Sequence, residues 1–170
     1  MPALLEVRQL SLAIRQAGAL LPAVEDVSFS LHAGETLALV GESGSGKSLS
    51  ALALMRLLPD AISITGGAVR LDGKDLLALP ESDMRLCRGR EIAMIFQEPA
   101  SSLNAVLTIG TQIGEALALR GITGKAAQEK AEYLLAQVGI PDPQRRLHEY
   151  PFQLSGGMKQ RAMIAIALAG

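Results

Sequence analysis

The first third of the chain places its apolar residues in short runs and alternations, whereas the last half repeats them at helical spacing. Residues 5–14 and 24–31 set β-branched and apolar side chains around a link containing glycine and proline, which predicts two neighbouring strands in an antiparallel hairpin. The run GETLALVG at 34–41 is short and is entered and left through glycine, the pattern of a strand buried on both faces. Residues 48–58 are apolar nearly all round, apart from Ser50 and Arg56, and predict a helix packed on that strand and stopped by Pro59. A strand over 66–76 turns at Asp72-Gly73, a short helix spans 80–87, and EIAMIFQ at 91–97 reads as another buried strand.

Beyond Ile109 the period changes. Ile113, Ala116 and Leu117, then Ala127, Ala131, Leu134, Leu135 and Val138, recur at helical spacing until Gly139-Ile140-Pro141 stops them. A last helix follows, with Ser155 as N-cap, two glycines, a polar turn and an apolar body through Ala169. The strand at 34–41 passing through a glycine-rich turn into the helix at 48–58 predicts an α/β fold, and residues 98–151 read as a helical insertion in it.

Composition narrows the partners. With 170 residues the chain has the size of one domain, and 49% hydrophobic content against 3% aromatic predicts an aliphatic, alanine-rich core. A formal charge of −1 and a pI near 6.1 argue against nucleic acid or anionic lipid as a partner held by net charge. Cys87 is the sole cysteine, which excludes an internal disulfide and a multi-cysteine metal site and leaves it an inert residue. The opening MPALLEVRQL lacks the basic start and long apolar stretch of a secretory signal. The late apolar run 162–169 falls short of the roughly 18 residues a membrane helix needs.

The chemistry concentrates in GESGSGKS at 41–48, which fits G-x-x-x-x-G-K-S/T between a predicted strand and a predicted helix. Gly41, Gly44 and Gly46 let the backbone curl, with Glu42, Ser43 and Ser45 between them, so that successive N–H groups meet phosphate oxygens at a helix start. Lys47 adds a point charge at the β- and γ-phosphates, the Ser48 hydroxyl is placed to ligate Mg²⁺, and Leu49 continues into the helix. A second stretch, LSGGMKQR at 154–161, sets Ser155, Gly156 and Gly157 at another anion-seeking helix start.

These two motifs, with Gln97 in IFQEP between them, resemble the ATP-binding subunits of ABC transporters in order and spacing over essentially the whole chain. GESGSGKS, IFQEPASSLN and EYPFQLSGGMKQR look most like the subfamily that powers import of oligopeptides, dipeptides, glutathione or nickel. Three positions depart from the pattern: Ala105 stands where proline is expected, Phe152 where histidine is commoner, and Ile14 where an aromatic ring stacks on adenine. Ile14 offers no π-face, so discrimination of the base is expected to be loose.

The resemblance implies a P-loop ABC ATPase core with an N-terminal antiparallel β-subdomain and a helical insertion. It divides the chain into a β-subdomain and P-loop core over 1–97, a helical subdomain over 98–154 and a signature helix over 155–170. It further implies ATP and Mg²⁺ as cofactors, with Ser48 and Gln97 at the metal and Lys47, Gln97 and Ser155 in catalytic roles. Its partners would be a second ABC ATPase subunit in a head-to-tail dimer, transmembrane permease subunits and, indirectly, a solute-binding protein, all at the cytoplasmic face of the cell membrane. The family's Walker B strand, catalytic glutamate, D-loop and switch histidine would follow Gly170, so this stretch alone is expected to bind nucleotide without turning it over. Glu42 and Glu98 read as solvated carboxylates, His32 and His148 as surface residues, and Asp72, Asp75, Glu81 and Asp83 as turn and helix-start residues. Two rivals remain in view: a catalytically silent nucleotide-binding module, and a soluble ABC-type ATPase of translation or DNA repair.

Overall fold

The computed structural model describes residues 2–170, in two compact units: one ending at Met84, the other running from Arg85 to Gly170. The first is built on a four-stranded antiparallel sheet in the order β2-β1-β3-β4, formed by β1 (Leu5–Gln16), β2 (Ala19–Leu31), β3 (Ile62–Leu71) and β4 (Lys74–Asp75). Ala17 and Gly18 both take positive φ, the two-residue turn whose twist matches the hairpin it closes. Asp72 and Gly73, with φ of 48° and 76°, make the equivalent turn between β3 and β4, where the sequence predicts it.

In β1 Leu5 and Val7, then Leu10 and Leu12, are all buried, with Ala13 beside the last of them. Strict alternation would turn the second pair outward. A bulge resolves the conflict: the register with β2 and β3 shifts around Gln9, which takes a φ of 48°, and Leu10 and Leu12 stay inside.

Helix α1 (Lys47–Leu54) ends earlier than the proline at 59 predicts. Arg56 adopts φ 51°, and the N–H groups of Arg56 and Leu57 bond back to the carbonyls of Ala53 (3.0 Å) and Leu52 (2.9 Å), closing a Schellman cap. A non-glycine there costs about 1–2 kcal/mol. Its guanidinium offsets this by donating to the carbonyls of Leu79 (2.6 Å) and Leu76 (3.3 Å). The unit boundary falls within α2 (Glu81–Cys87).

The second unit is helical: α3 (Pro99–Ser102), α4 (Ile109–Ala118), α5 (Gly124–Gln137), α6 (Pro143–Arg146), a 3-10 turn (Pro151–Gln153) and α7 (Gly156–Ala169). Helices α4, α5 and α7 pack pairwise. Their shared core takes Ile109, Ile113 and Leu117 from α4, Ala131, Leu134 and Leu135 from α5, and Ala162, Met163, Ala165 and Ala169 from α7. Each enclosed Leu or Ile contributes about 1.5–3 kcal/mol, which makes this cluster the main support of the unit. Gly139, at φ 74°, ends α5 as its sequence predicts. No helix among the described residues is long and apolar enough to cross a membrane.

Candidate functional site

Two segments expected as buried strands are not strands. Residues 35–40 take no regular secondary structure, and Val40 is 92% exposed. Residues 91–97 are likewise irregular apart from a single parallel bridge between Arg88 and Ile92, and Ile95 and Phe96 are exposed. A strand buried on both faces needs a neighbour along each edge to satisfy its backbone. The antiparallel sheet includes neither segment. Their apolar character is a preference for burial, and the ladder that would meet it is a separate requirement.

The loop 41–48 is nevertheless formed. Gly46 is the N-cap of α1 at φ 87° and ψ 0°, and a Cβ there would lie 2.5 Å from Val24 Cγ2 and 3.2 Å from the Ala23 carbonyl. Only glycine satisfies both the left-handed backbone and the close approach to β2. Gly44 takes φ 86°, and a Cβ on Gly41 would lie 2.8 Å from Ser45 Oγ. The N–H of Ser45 donates to the Glu42 carbonyl at 3.2 Å. No side chain caps α1, so its first-turn N–H groups keep their capacity for an outside acceptor.

Lys47 Nζ folds back over this loop and donates to the carbonyls of Gly41 and Glu42, both at 2.7 Å, and to Ser45 Oγ at 3.1 Å. All three ammonium protons are therefore directed into the curl. Glu42, Ser43 and Ser48 are exposed, Leu49 is half-buried, and Ser50 Oγ donates to the Gly46 carbonyl at 3.0 Å, fixing the first turn from inside. Ile14 is half-buried in the ladder opposite Leu21 and Ile62.

In the helical unit Gln97 is exposed, just before α3, whose start is held by Ser101 and Ser102 hydroxyls donating to the Glu98 carbonyl. Ser155 is the N-cap of α7, and its Oγ accepts the Met158 N–H at 3.4 Å. Gly156 and Gly157 are exposed, and a Cβ at either would meet nothing within 4 Å. Among the described residues of this unit nothing requires glycine at those two positions.

Several residues fall as expected: Glu42, Glu98 and His148 are exposed, and Asp75 Oδ1 accepts the N–H groups of Leu77 and Ala78 in a turn. His32 is half-buried and pairs with Glu35, whose carboxyl is held below the usual range by the His32 backbone N–H and then its ring. Cys87 is buried and in no disulfide. Sequence reading missed Gln112 and Glu149, both buried and densely hydrogen-bonded. The signal for Gln112 was a polar residue on the inward stripe of α4, between Ile109 and Ile113.

The profile of the family described as "ABC transporter" matches residues 24–170. The chain is 55% identical over 168 residues to the peptidoglycan transport ATP-binding protein YejF of Agrobacterium fabrum, which spans 98% of the chain and 31% of that protein. To a putative peptide import ATP-binding protein of Brucella abortus it is 54% identical over 168 residues, 98% of the chain and 51% of the relative. It thus spans about half of one relative and about a third of the other. The dimeric structure of a bacterial ABC transporter cassette superposes with a TM-score of 0.85 at 25% identity, over 97% of this chain and 69% of the other. The ATP-binding subunit of another ABC transporter gives 0.73 at 30% identity, over 98% and 62%. The fold is therefore that of the ABC ATPase cassette, and the chain belongs to the ABC transporter family.

Proposed function

We propose that this chain is the nucleotide-binding part of an ATPase that powers import through a membrane permease. The observation that carries the reading is the inward-folded Lys47 above an uncapped helix start. Its present acceptors are two neutral carbonyls and a hydroxyl. Those bonds already carry the ammonium charge, and a phosphate oxygen adds a negative charge that a carbonyl lacks, hence further Coulomb attraction, so phosphate oxygens would displace those acceptors without rebuilding the loop. Gly41, Gly44 and Gly46 shape the cradle, and Ser48, exposed beside Lys47, would hold Mg²⁺. When bound, Mg-ATP supplies the transferable phosphoryl group and the divalent charge that balances it.

Ser155, Gly156 and Gly157 would address nucleotide held by a second ABC ATPase subunit, head to tail. Their open surroundings support this, since the space a Cβ would fill is free within the chain itself. The names of the relatives, peptide import and peptidoglycan transport, favour a peptide-class cargo carried by transmembrane permease subunits, with a solute-binding protein delivering it. The working place would be the cytoplasmic face of the membrane.

Calorimetric titration with Mg-ATP tests the reading. Lys47→Ala should weaken binding about a hundredfold, in line with roughly 1.5–3 kcal/mol for each hydrogen bond to a charged group. Equal affinity of variant and parent would sink the proposal.

A further inference from the structure

Among the described residues of the helical unit two polar side chains are buried, and neither belongs to the Gln97 segment or the signature. Gln112 and Glu149 are each 8% exposed. Gln112 Oε1 accepts the Asn104 N–H at 2.9 Å, and Nε2 donates to the carbonyls of Asn104 and Leu107 at 3.1 Å and, more weakly, of Thr108 at 3.4 Å. One side chain thus fastens the whole stretch 104–108 onto α4. That stretch follows directly from α3, which begins just beyond Gln97 and Glu98.

On the other side the Glu149 carboxylate braces its own segment, and the backbone there makes the tie to α4. Its Oε2 accepts Arg146 Nη1 at 2.7 Å and its Oε1 accepts Arg145 Nε at 3.1 Å. Its backbone carbonyl accepts the Ile109 N–H at 2.9 Å, and the Leu147 carbonyl accepts the Gly110 N–H at 2.8 Å. The first N–H groups of α4, which a helix start leaves unpaired, are therefore taken up by the segment leading to the signature. Gly110 permits this approach, since a Cβ there would stand 2.7 Å from the Leu147 carbonyl oxygen. From Glu149 the chain passes through the 3-10 turn Pro151–Gln153 into Ser155. Both polar clusters meet at the first turn of α4, Gln112 gripping up to Thr108 and Glu149 beginning at Ile109.

We propose that Gln112 and Glu149 are positioning residues that join the segment after Gln97 and the signature terminus into one mechanical piece. Displacing residues 104–108 alone would strand the buried amide of Gln112, and displacing residues 147–149 alone would strand the α4 N–H groups. Unpaired buried groups are costly, so the two segments open and shift together. This rests on the reading that Gln97 and Ser155 both serve nucleotide-driven work, and it names the residues that would carry a displacement from one to the other.

Hydrogen exchange of the whole protein, read by mass spectrometry, tests the joint, using Gln112→Leu and the milder Glu149→Gln. Amides of 104–110 and the bonded amides of Met158 and Lys159 should both exchange about tenfold faster, as expected when local opening loses one or two hydrogen bonds, while α5 stays protected. Faster exchange confined to the mutated side, in whichever variant keeps α5 protected, overturns the proposal. In steady-state hydrolysis the same variants should lower kcat about tenfold and hold the KM for Mg-ATP within about twofold, the signature of a change outside nucleotide binding. A KM that rises as kcat falls overturns it as well. Exchange needs no nucleotide, so its outcome is separate from the Mg-ATP titration that tests the proposed function.

Discussion

The chain starts two helices on glycine-rich motifs, and it treats the two starts differently. At α1 the N-cap is Gly46, held left-handed against β2, no side chain caps the turn, and Lys47 curls over the loop. At α7 the N-cap is Ser155, whose own hydroxyl reaches the Met158 N–H, and the two following glycines border open space. The first start is shaped from within its own unit and brings its own cation. The second is already capped and presents bare backbone outward. The first start has both free N–H groups and a cation of its own, whereas the second offers only backbone donors beside open space.

The sharpest way to break this comparison is to add one methyl group at each start. Gly46→Ala forces a Cβ to within 2.5 Å of Val24 Cγ2 at φ 87°. Thermal unfolding should show a loss of about 2–5 kcal/mol, the sum of a left-handed penalty and overpacking, and calorimetry should show no Mg-ATP binding. Gly156→Ala meets nothing, so the same two measurements should match the parent, with stability within about 0.5 kcal/mol. A large loss at Gly156 would mean that the second start is shaped from within after all.

Ser155→Arg separates the two starts by function. A bulky cation at the α7 start should leave the chain's own Mg-ATP affinity within about twofold, yet prevent pairing of whole subunits in sedimentation. Loss of nucleotide affinity as severe as that of Lys47→Ala would place the signature inside its own nucleotide site. Ser155→Ala is milder. The cap bond is long at 3.4 Å, so denaturant unfolding should show a loss near the low end of the usual capping range, about 0.5 kcal/mol.

The smallest effect concerns pH. The Glu149 carboxyl is held below its ordinary value first by its hydrogen bond from Arg146 and then by that from Arg145, against an opposing cost of burial. A carboxyl depressed on folding stabilises the folded state above its unfolded pKa, and that contribution is lost as pH falls through the lowered folded value. The helical unit should therefore weaken on acidification below the ordinary glutamate range. Circular dichroism should show a flatter acid limb for Glu149→Gln than for the parent.

Much of this was legible because it rests on neighbours in sequence. The hairpin, the Asp72-Gly73 turn, the stripes of α4 and α5, and Ser155 as an N-cap follow from alternation, helical spacing and cap chemistry acting over a few residues. Arg56 was not legible as a helix end, because its left-handed backbone is sustained by carbonyls at 76 and 79, far along the chain. Gln112 and Glu149 read as ordinary polar positions, and their importance lies wholly in which backbone groups folding brings to them.

By itself the sequence determined the two motifs, the order of strands before helices, and membership of a family whose fold those motifs accompany. Even the bulge in β1 was implicit, since apolar residues at 5, 7, 10 and 12 cannot share one face without it. Only the tertiary structure decided that residues 35–40 and 91–97 lie outside the sheet, and that Gly46 is held by contact with Val24 while Gly156 borders open space. It also decided that the stretches beside Gln97 and Ser155 are tied to one turn of α4. Periodicity and caps are local energies, written into a few consecutive residues. Ladder partners, close approaches and buried polar pairs depend on residues distant in sequence, and exist only once the chain has closed on itself.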